Sequence, residues 1–161
     1  MTGTAFLQDP LVYAIEHYTD MVLRLAAHYA PNLSDAEDVV QDVFEKLMRF
    51  EKGFESEEHL KAWLIRVTIN HCKSRLRAPW HTRRLPLEEL PDTPVFDDPA
   101  QRELYDAVLA LPQAYRIVLY LFYYEDMPTS EIAAVLHISQ NAVTTRLTRA
   151  REALRRAYQE D

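Results

Sequence analysis

The side chains between residues 141 and 151 are of the types that recognise nucleic acid by hydrogen bonding. One side of this segment carries Asn141, Thr144, Thr145, Thr148 and Arg149, flanked by Arg146 and Arg151. Arginine donates to guanine edges or to phosphates, asparagine pairs with adenine, and the threonine methyl group contacts thymine. The pattern favours DNA binding. The alternative is an ordinary helical hairpin whose arginine-rich side is simply solvated.

Two short helices must position these side chains. Apolar residues at Ile132, Ala133 and Leu136 mark one face of the first helix, and the pattern breaks at His137. Ser139 is a good N-cap for the second helix. At 3.6 residues per turn, the second helix has an apolar stripe within about 40° that comprises Val143, Leu147, Ala150 and Leu154. The spacing predicts a helix-turn-helix, whose second helix enters the DNA major groove.

Composition predicts an all-α chain. Two glycines among 161 residues leave too few positive-φ positions for a β-rich fold or a glycine-rich phosphate loop. No apolar run approaches the roughly 20 residues of a membrane span, and the N-terminus lacks a signal-peptide pattern. The single Cys72 excludes an internal disulfide, so we expect the protein to reside in a reducing cytoplasm.

The net charge of −7 is unevenly distributed along the chain. Residues 66–86 carry six basic and no acidic residues, and residues 141–161 carry five basic and three acidic ones. The remaining segments are strongly acidic. Because screening limits phosphate attraction to about 8–10 Å, local charge matters more than the total. The two basic segments indicate two contacts with one extended polyanion, and the acidic surface indicates a basic protein partner.

Five prolines divide the chain into two halves. They are Pro79, Pro86, Pro91, Pro94 and Pro99. Residues 78–100 therefore read as an extended linker between a helical domain at 1–77 and a second one at 101–161. Predicted helices cover residues 11–30, 57–77, 101–110 and 113–124. Another begins with Ser34 as N-cap and Glu37 at the capping-box position.

Two helices of the first half have distinctive polar faces. Residues 36–48 combine an apolar stripe (Ala36, Val39, Val40, Val43, Phe44, Leu47 and Met48) with a face that carries Asp38, Gln41, Asp42 and Glu45. We call this second set the acidic ridge. It is either a solvated face or a docking surface for a basic protein. The helix at 57–77 buries Leu60, Trp63, Leu64 and Val67, and it ends with Asn70, Lys73, Arg75 and Arg77. Its basic end either complements the helix dipole or contacts nucleic acid.

The order of these motifs resembles the extracytoplasmic-function group of bacterial RNA polymerase sigma factors. "DAEDVVQDVF" looks like the polymerase-binding helix of that family, and "AWLIRVTINHCKSRLR" like its promoter-melting helix. "ALPQAYRIVLYLFYYEDMPTSEIAAVLHISQNAVTTRLTRAREALRR" looks like the domain that reads the upstream promoter element. The resemblance covers nearly the whole chain.

The resemblance implies roles for particular residues. The acidic ridge would bind core RNA polymerase, and residues 50–57 would accept a flipped base. The downstream promoter element would meet Arg66, Asn70, Lys73 and Arg77. The upstream element would meet Gln140, Asn141, Thr144, Thr145, Arg146, Thr148 and Arg149, which we call the recognition face. Promoter DNA and an anti-sigma factor are the other implied partners, and no cofactor is implied.

Three positions depart from the family pattern. His137 stands where the family usually has glycine, which the left-handed conformation favours. Pro128 stands where a serine N-cap is common, so capping is expected to move to Thr129. Thr144 stands where a basic residue is frequent, so contact with the upstream element is expected to be weaker or of different specificity.

Two other functions fit parts of the sequence. A stand-alone helix-turn-helix regulator usually dimerises on palindromic DNA, and it would leave the acidic ridge without a role. An enzyme would require a metal-ligand pair or a nucleophile arrangement. The six histidines and Cys72 form neither, although His71, Cys72 and His81 together are a weak candidate for a metal site.

Overall fold

The computed structural model describes residues 9–75 and 98–159, which form seven α-helices and no strand. These are α1 (Pro10–Ala27), α2 (Leu33–Arg49), α3 (Glu57–Arg75), α4 (Pro99–Leu109), α5 (Gln113–Leu119), α6 (Thr129–Leu136) and α7 (Gln140–Gln159). One π-helical turn, Tyr120–Tyr124, continues α5. The all-α prediction is confirmed. The chain divides into two compact units after residue 93. Most of the predicted linker lies outside the described residues, and α4 begins within its last part.

The first unit is a bundle of α1, α2 and α3. Helix α2 buries Ala36, Val39, Val43 and Leu47 against the other two helices. The predicted stripe is wider than the buried one, because Met48 is 62% exposed. In α3, Ile65 and Ile69 are buried, whereas Val67, which the sequence placed in the core, is only half-buried. The core-facing side of α3 therefore includes Ile65 and Ile69 as well as Leu60, Trp63 and Leu64.

Asn32 caps α2, so the predicted capping box of Ser34 and Glu37 is wrong. The Asn32 side chain accepts a hydrogen bond of 2.8 Å from the backbone nitrogen of Asp35. Ser34 lies inside the first helical turn. Asparagine and serine are about equally good N-caps, so local sequence does not decide between positions 32 and 34.

Glu57 joins the first turn of α3 to α1. Its Oε1 accepts hydrogen bonds of 2.6 Å from the Tyr13 hydroxyl and 2.9 Å from the Tyr18 hydroxyl. These two bonds favour the charged carboxylate and lower the pKa of Glu57 below its ordinary 4.5. Burial and the same carboxylate raise the pKa of Tyr18. The junction therefore holds an ionised glutamate against two neutral tyrosines.

We expect this junction to make stability depend on pH. Because the pKa of Glu57 is lower in the folded state than in the unfolded one, its contribution is present above about pH 4.5 and is lost as pH falls through the folded value. Glu57→Gln should lower the urea midpoint at pH 7, and the gap to the native chain should close in acid. Glu58→Gln, at an exposed neighbouring carboxylate, is the control. A gap that persists unchanged below pH 4 would contradict this account.

The second unit packs α4, α5 and α6 around α7. Helix α7 turns Val143, Leu147 and Ala150 into the core, as the sequence predicted, while Leu154 is half-buried. Arg116, only 3% exposed, donates from Nη1 to the carbonyl oxygens of Leu109 (3.5 Å) and Leu111 (3.3 Å). These carbonyls lie at and just beyond the end of α4, where helical partners are missing. The buried guanidinium therefore ties α5 to the end of α4.

The turn between α6 and α7 has the geometry that the sequence predicts. His137 has φ 58° and ψ 43°, in the left-handed region, and the Ile138 nitrogen donates to the Ala133 carbonyl oxygen at 3.0 Å. Ser139 Oγ accepts a bond of 3.0 Å from the Ala142 nitrogen, which confirms the predicted N-cap. At the other end of α6, the prediction that Thr129 caps the helix is wrong. Pro128 occupies the cap position, and no side chain caps that end.

Replacing His137 with glycine should stabilise the second unit. A residue with a Cβ loses about 1–2 kcal/mol in the left-handed conformation, and the greater chain entropy of glycine offsets about 0.5–1 kcal/mol of that gain. We expect a net gain of about 0.5–1 kcal/mol, or roughly 2–8 °C in melting temperature for a domain of this size. Ala134→Gly, at an exposed position inside α6, should instead cost about 1 kcal/mol. Calorimetry of both variants tests the sign of each change.

Candidate functional site

The recognition face lies on the first three turns of α7. Its seven residues are exposed except Arg146, which is half-buried. The Gln140 side-chain nitrogen donates to Thr129 Oγ1 at 2.8 Å, which connects the first residue of α7 to the first residue of α6. Thr129 therefore orients a side chain of the recognition face instead of capping its own helix. Sequence spacing contained no signal for this contact, because it joins residues eleven apart across the turn.

Two threonines of the recognition face turn their hydroxyl groups back to the helix. Thr144 Oγ1 donates to the Gln140 and Asn141 carbonyl oxygens at 3.2 and 3.0 Å, and Thr148 Oγ1 donates to the Thr144 carbonyl at 3.0 Å. Bonds of this kind are common for threonine within helices. With their hydroxyl protons engaged, both residues present mainly methyl groups to the outside, which suits apolar contact with thymine.

The acidic ridge is a continuous polar strip along α2. Asp38, Gln41 and Glu45 are exposed. Asp42 is 42% exposed, and its Oδ2 lies 2.9 Å from Nε2 of His71 on α3. The ridge therefore presents three carboxylates to solvent, one of which is anchored to the neighbouring helix.

The basic end of α3 carries the residues that the resemblance assigned to the downstream element. Arg66, Asn70 and Lys73 are all exposed, and their spacing of three and four residues places them along one strip of the helix. Arg77 lies outside the described residues. Arg75 is turned toward α2, with Nη2 4.0 Å from Asp35 Oδ1. Arg66, Asn70 and Lys73 thus form a solvent-exposed polar strip on α3.

The loop between α2 and α3 is organised by aromatic rings. Phe54, 9% exposed, stacks on Phe50 at a centroid distance of 5.0 Å, and Trp63 lies 5.1 Å from Phe50. Ser56 caps α3, because its Oγ accepts from the His59 nitrogen at 3.0 Å. Gly53 has φ 73°, a conformation that L-residues rarely adopt. The loop is therefore held at both ends and changes direction at the glycine.

Arg151, which helical spacing placed on the flank of the polar side of α7, belongs to a cluster of polar and aromatic side chains. Its Nε donates to the Tyr123 hydroxyl at 2.8 Å, and its guanidinium lies 5.4 Å from the Tyr123 ring centroid and 5.7 Å from that of Phe122. Such cation–π contacts contribute about 0.5–1 kcal/mol at exposed sites. The π-helical turn brings the two aromatic residues to α7, so helical spacing alone did not reveal them.

The described residues hold no group of three or more His, Cys, Asp or Glu that could bind a metal ion. Both ring nitrogens of His71 are engaged by Asp42 and Lys46, and His81 lies outside the described residues. Burial raises the pKa of the Cys72 thiol to about 12, so the reactive thiolate form is suppressed at neutral pH. None of the described helices is long and apolar enough to cross a membrane.

The geometry defines a helix-turn-helix DNA-binding protein with a second helical unit that carries separate acidic and basic surfaces. Comparisons with known proteins agree. The model of sigma-70 region 2 matches residues 14–82, and that of sigma-70 region 4 matches residues 101–154. The ECF RNA polymerase sigma factor SigW of Bacillus subtilis is 26% identical over 166 residues, which cover 92% of this chain and 89% of SigW.

Two further relatives extend this comparison. The RNA polymerase sigma-E factor of Streptomyces coelicolor is 32% identical over 143 residues, covering 84% of this chain and 78% of that protein. The sigma factor RpoE of Bartonella quintana, solved in complex with the anti-sigma factor NepR, shares the fold at 23% identity. Its TM-score is 0.60 over 98% of this chain and 99% of RpoE. This chain belongs to the extracytoplasmic-function group of the sigma-70 family of RNA polymerase sigma factors. Its function is promoter-specific initiation of transcription by RNA polymerase.

Proposed function

We propose that the acidic ridge of α2 binds core RNA polymerase and that the recognition face of α7 reads the upstream promoter element. One observation carries the proposal: the two surfaces lie on different units and differ in chemistry. Three carboxylates line the first surface, whereas amide, methyl and guanidinium groups line the second. A protein that must hold both a protein partner and DNA needs two such surfaces.

The basic end of α3 is assigned to the downstream element. Arg66, Asn70 and Lys73 are exposed along one strip, and Arg77 continues the run in sequence. Cations at this position attract the phosphate backbone, and Asn70 adds a group that can pair with a base edge. The glycine-containing loop at 50–57, fixed by Phe54 and Ser56, would accept the flipped base. Unstacking a base costs only a few kcal/mol, which a protein pocket can supply.

The protein acts as an adaptor and carries out no covalent step of its own. Polymerase supplies the catalysis, so the protein functions in the cytoplasm, where transcription takes place. An anti-sigma factor is the expected inhibitor, because masking either the acidic ridge or the recognition face would block activity. The complex of RpoE with NepR is a precedent for such a partner in a protein of the same fold.

In vitro transcription with purified core polymerase tests the proposed function. Core enzyme plus this protein should start RNA at new positions on a genomic template, and sequencing the transcripts would identify the promoter. In gel shifts, specific retardation of duplex promoter DNA should require core enzyme. A stand-alone regulator would bind the same DNA equally well without polymerase and start no new RNA, and that result would overturn the proposal.

A further inference from the structure

The imidazole of His71 stands between two oppositely charged side chains of α2. Its Nε2 lies 2.9 Å from Asp42 Oδ2, and its Nδ1 lies 3.3 Å from Lys46 Nζ. The ring comes from α3 and is 17% exposed. A histidine from one helix therefore separates an acid and a base of another.

Without that ring, α2 would bring the two charges together. Asp42 and Lys46 are four residues apart, the spacing at which opposite charges pair on a helix surface. A direct ion pair would engage the Asp42 carboxylate with an ammonium group of its own helix. The carboxylate would then have less attraction for an external cation.

The hydrogen-bond partners determine the state of the ring. The Asp42 carboxylate can only accept a hydrogen bond and the Lys46 ammonium can only donate one, so the arrangement requires the neutral imidazole with its proton on Nε2. Burial and the nearby Lys46 ammonium lower the pKa of His71 below its ordinary value, although Asp42 opposes this shift. A neutral donor holds the carboxylate in place without cancelling its charge, and the second oxygen of Asp42 remains for a partner.

We propose that His71 is a positioning residue for polymerase binding, which keeps the Asp42 carboxylate oriented and prevents Lys46 from neutralising it. This inference rests on the proposed role of the acidic ridge. It adds to that role a residue that touches neither polymerase nor DNA and acts only through Asp42.

The test measures the affinity of the full chain for core polymerase. His71→Leu removes both hydrogen bonds and should weaken binding about 3- to 10-fold, within the range of couplings between contacting residues. His71→Gln keeps a side-chain N–H donor near the position of Nε2 and should bind within about 2-fold of the native chain. His17→Leu removes an exposed histidine of α1 that contacts Tyr13 and not the acidic ridge, and it should leave the affinity for core polymerase unchanged.

A double-mutant cycle separates positioning from a general structural effect. In an Asp42→Asn background, His71→Leu should cause no additional loss, and Lys46→Ala should restore part of the affinity lost in His71→Leu. An equal loss with and without Asp42→Asn, or no loss at all, would overturn the proposal. If His71→Leu lowers the melting temperature, His71→Ala replaces it in the same cycle.

The outcomes also distinguish this inference from the proposed function. If Asp42→Asn binds core polymerase as tightly as the native chain, the assignment of Asp42 to the docking surface is wrong, and the role of His71 falls with it. If Asp42→Asn weakens binding while His71→Leu does not, the acidic ridge stands and only the role of His71 is overturned.

Discussion

Reversing the charges of Asp38 and Asp42 to lysine is expected to abolish co-purification with core RNA polymerase. If the ridge meets a basic surface, each reversal replaces an attraction with a like-charge contact, which costs several kcal/mol at an interface. Binding should therefore weaken by more than about 100-fold. Asp38 is exposed, so its reversal should not affect folding. Helix content and melting temperature of the purified variant check this.

Asp42 complicates the interpretation, because Asp42→Lys also places a second ammonium group beside His71 and Lys46. Asp38→Lys combined with Glu45→Lys avoids that contact and should cause a similar loss. Glu16→Lys combined with Glu103→Lys makes the same change in net charge at exposed sites of α1 and α4. That control should still bind core polymerase. Equal binding by the ridge variants and the control would show that α2 is not the docking surface.

Arg149→Ala is expected to weaken promoter recognition by roughly 1–3 kcal/mol if the guanidinium reads a base. Arg149 is exposed on α7, and no bond to another described side chain holds it away from solvent. If Arg149 reads a base, the loss of affinity should be confined to promoters that carry the base pair it recognises. Binding by the reconstituted holoenzyme to a panel of promoters substituted at each upstream position measures it.

Two variants sharpen this measurement. Arg149→Lys keeps the charge but loses the planar fork that matches guanine. If Arg149 contacts a base, the lysine variant should lose as much promoter affinity as the alanine variant. If Arg149 contacts a phosphate, the lysine variant should bind as the native chain does. Arg155→Ala, at an exposed position beyond the recognition face, should bind as the native chain does. A uniform loss across all promoters, with a smaller dependence on salt, would assign Arg149 to the DNA backbone.

The secondary structure and the turn of the helix-turn-helix could be predicted because their causes are local. The apolar spacing of Val143, Leu147 and Ala150 places them inside α7, and Ser139 caps the helix that follows it. His137 had to adopt a left-handed conformation, since the two helices are joined by so short a turn. These features depend on residues a few positions apart.

The features that were not predicted depend on tertiary contacts. Arg116 reads as an ordinary basic residue of a helix, yet it is buried because the end of α4 needs donors for its carbonyl groups. In the sequence, His71 is one of six histidines with no pattern among them. Its position between Asp42 and Lys46 could not be predicted, because it depends on how α2 packs on α3. The π-helical turn that brings Tyr123 to Arg151 shifts the helical register, so a constant period of 3.6 residues misses it.

The division of α7 into an inner and an outer side affects how such a protein can diverge. Val143 and Leu147 sustain the fold from within, while Asn141, Thr145 and Arg149 are exposed on the opposite side. Exchanges on the outer side leave the packed residues untouched, and exposed substitutions usually change stability by no more than about 0.5 kcal/mol. If the outer side reads the upstream promoter element, as we propose, a duplicated copy of this gene can acquire a new set of target genes through a few outer replacements, without first having to become more stable.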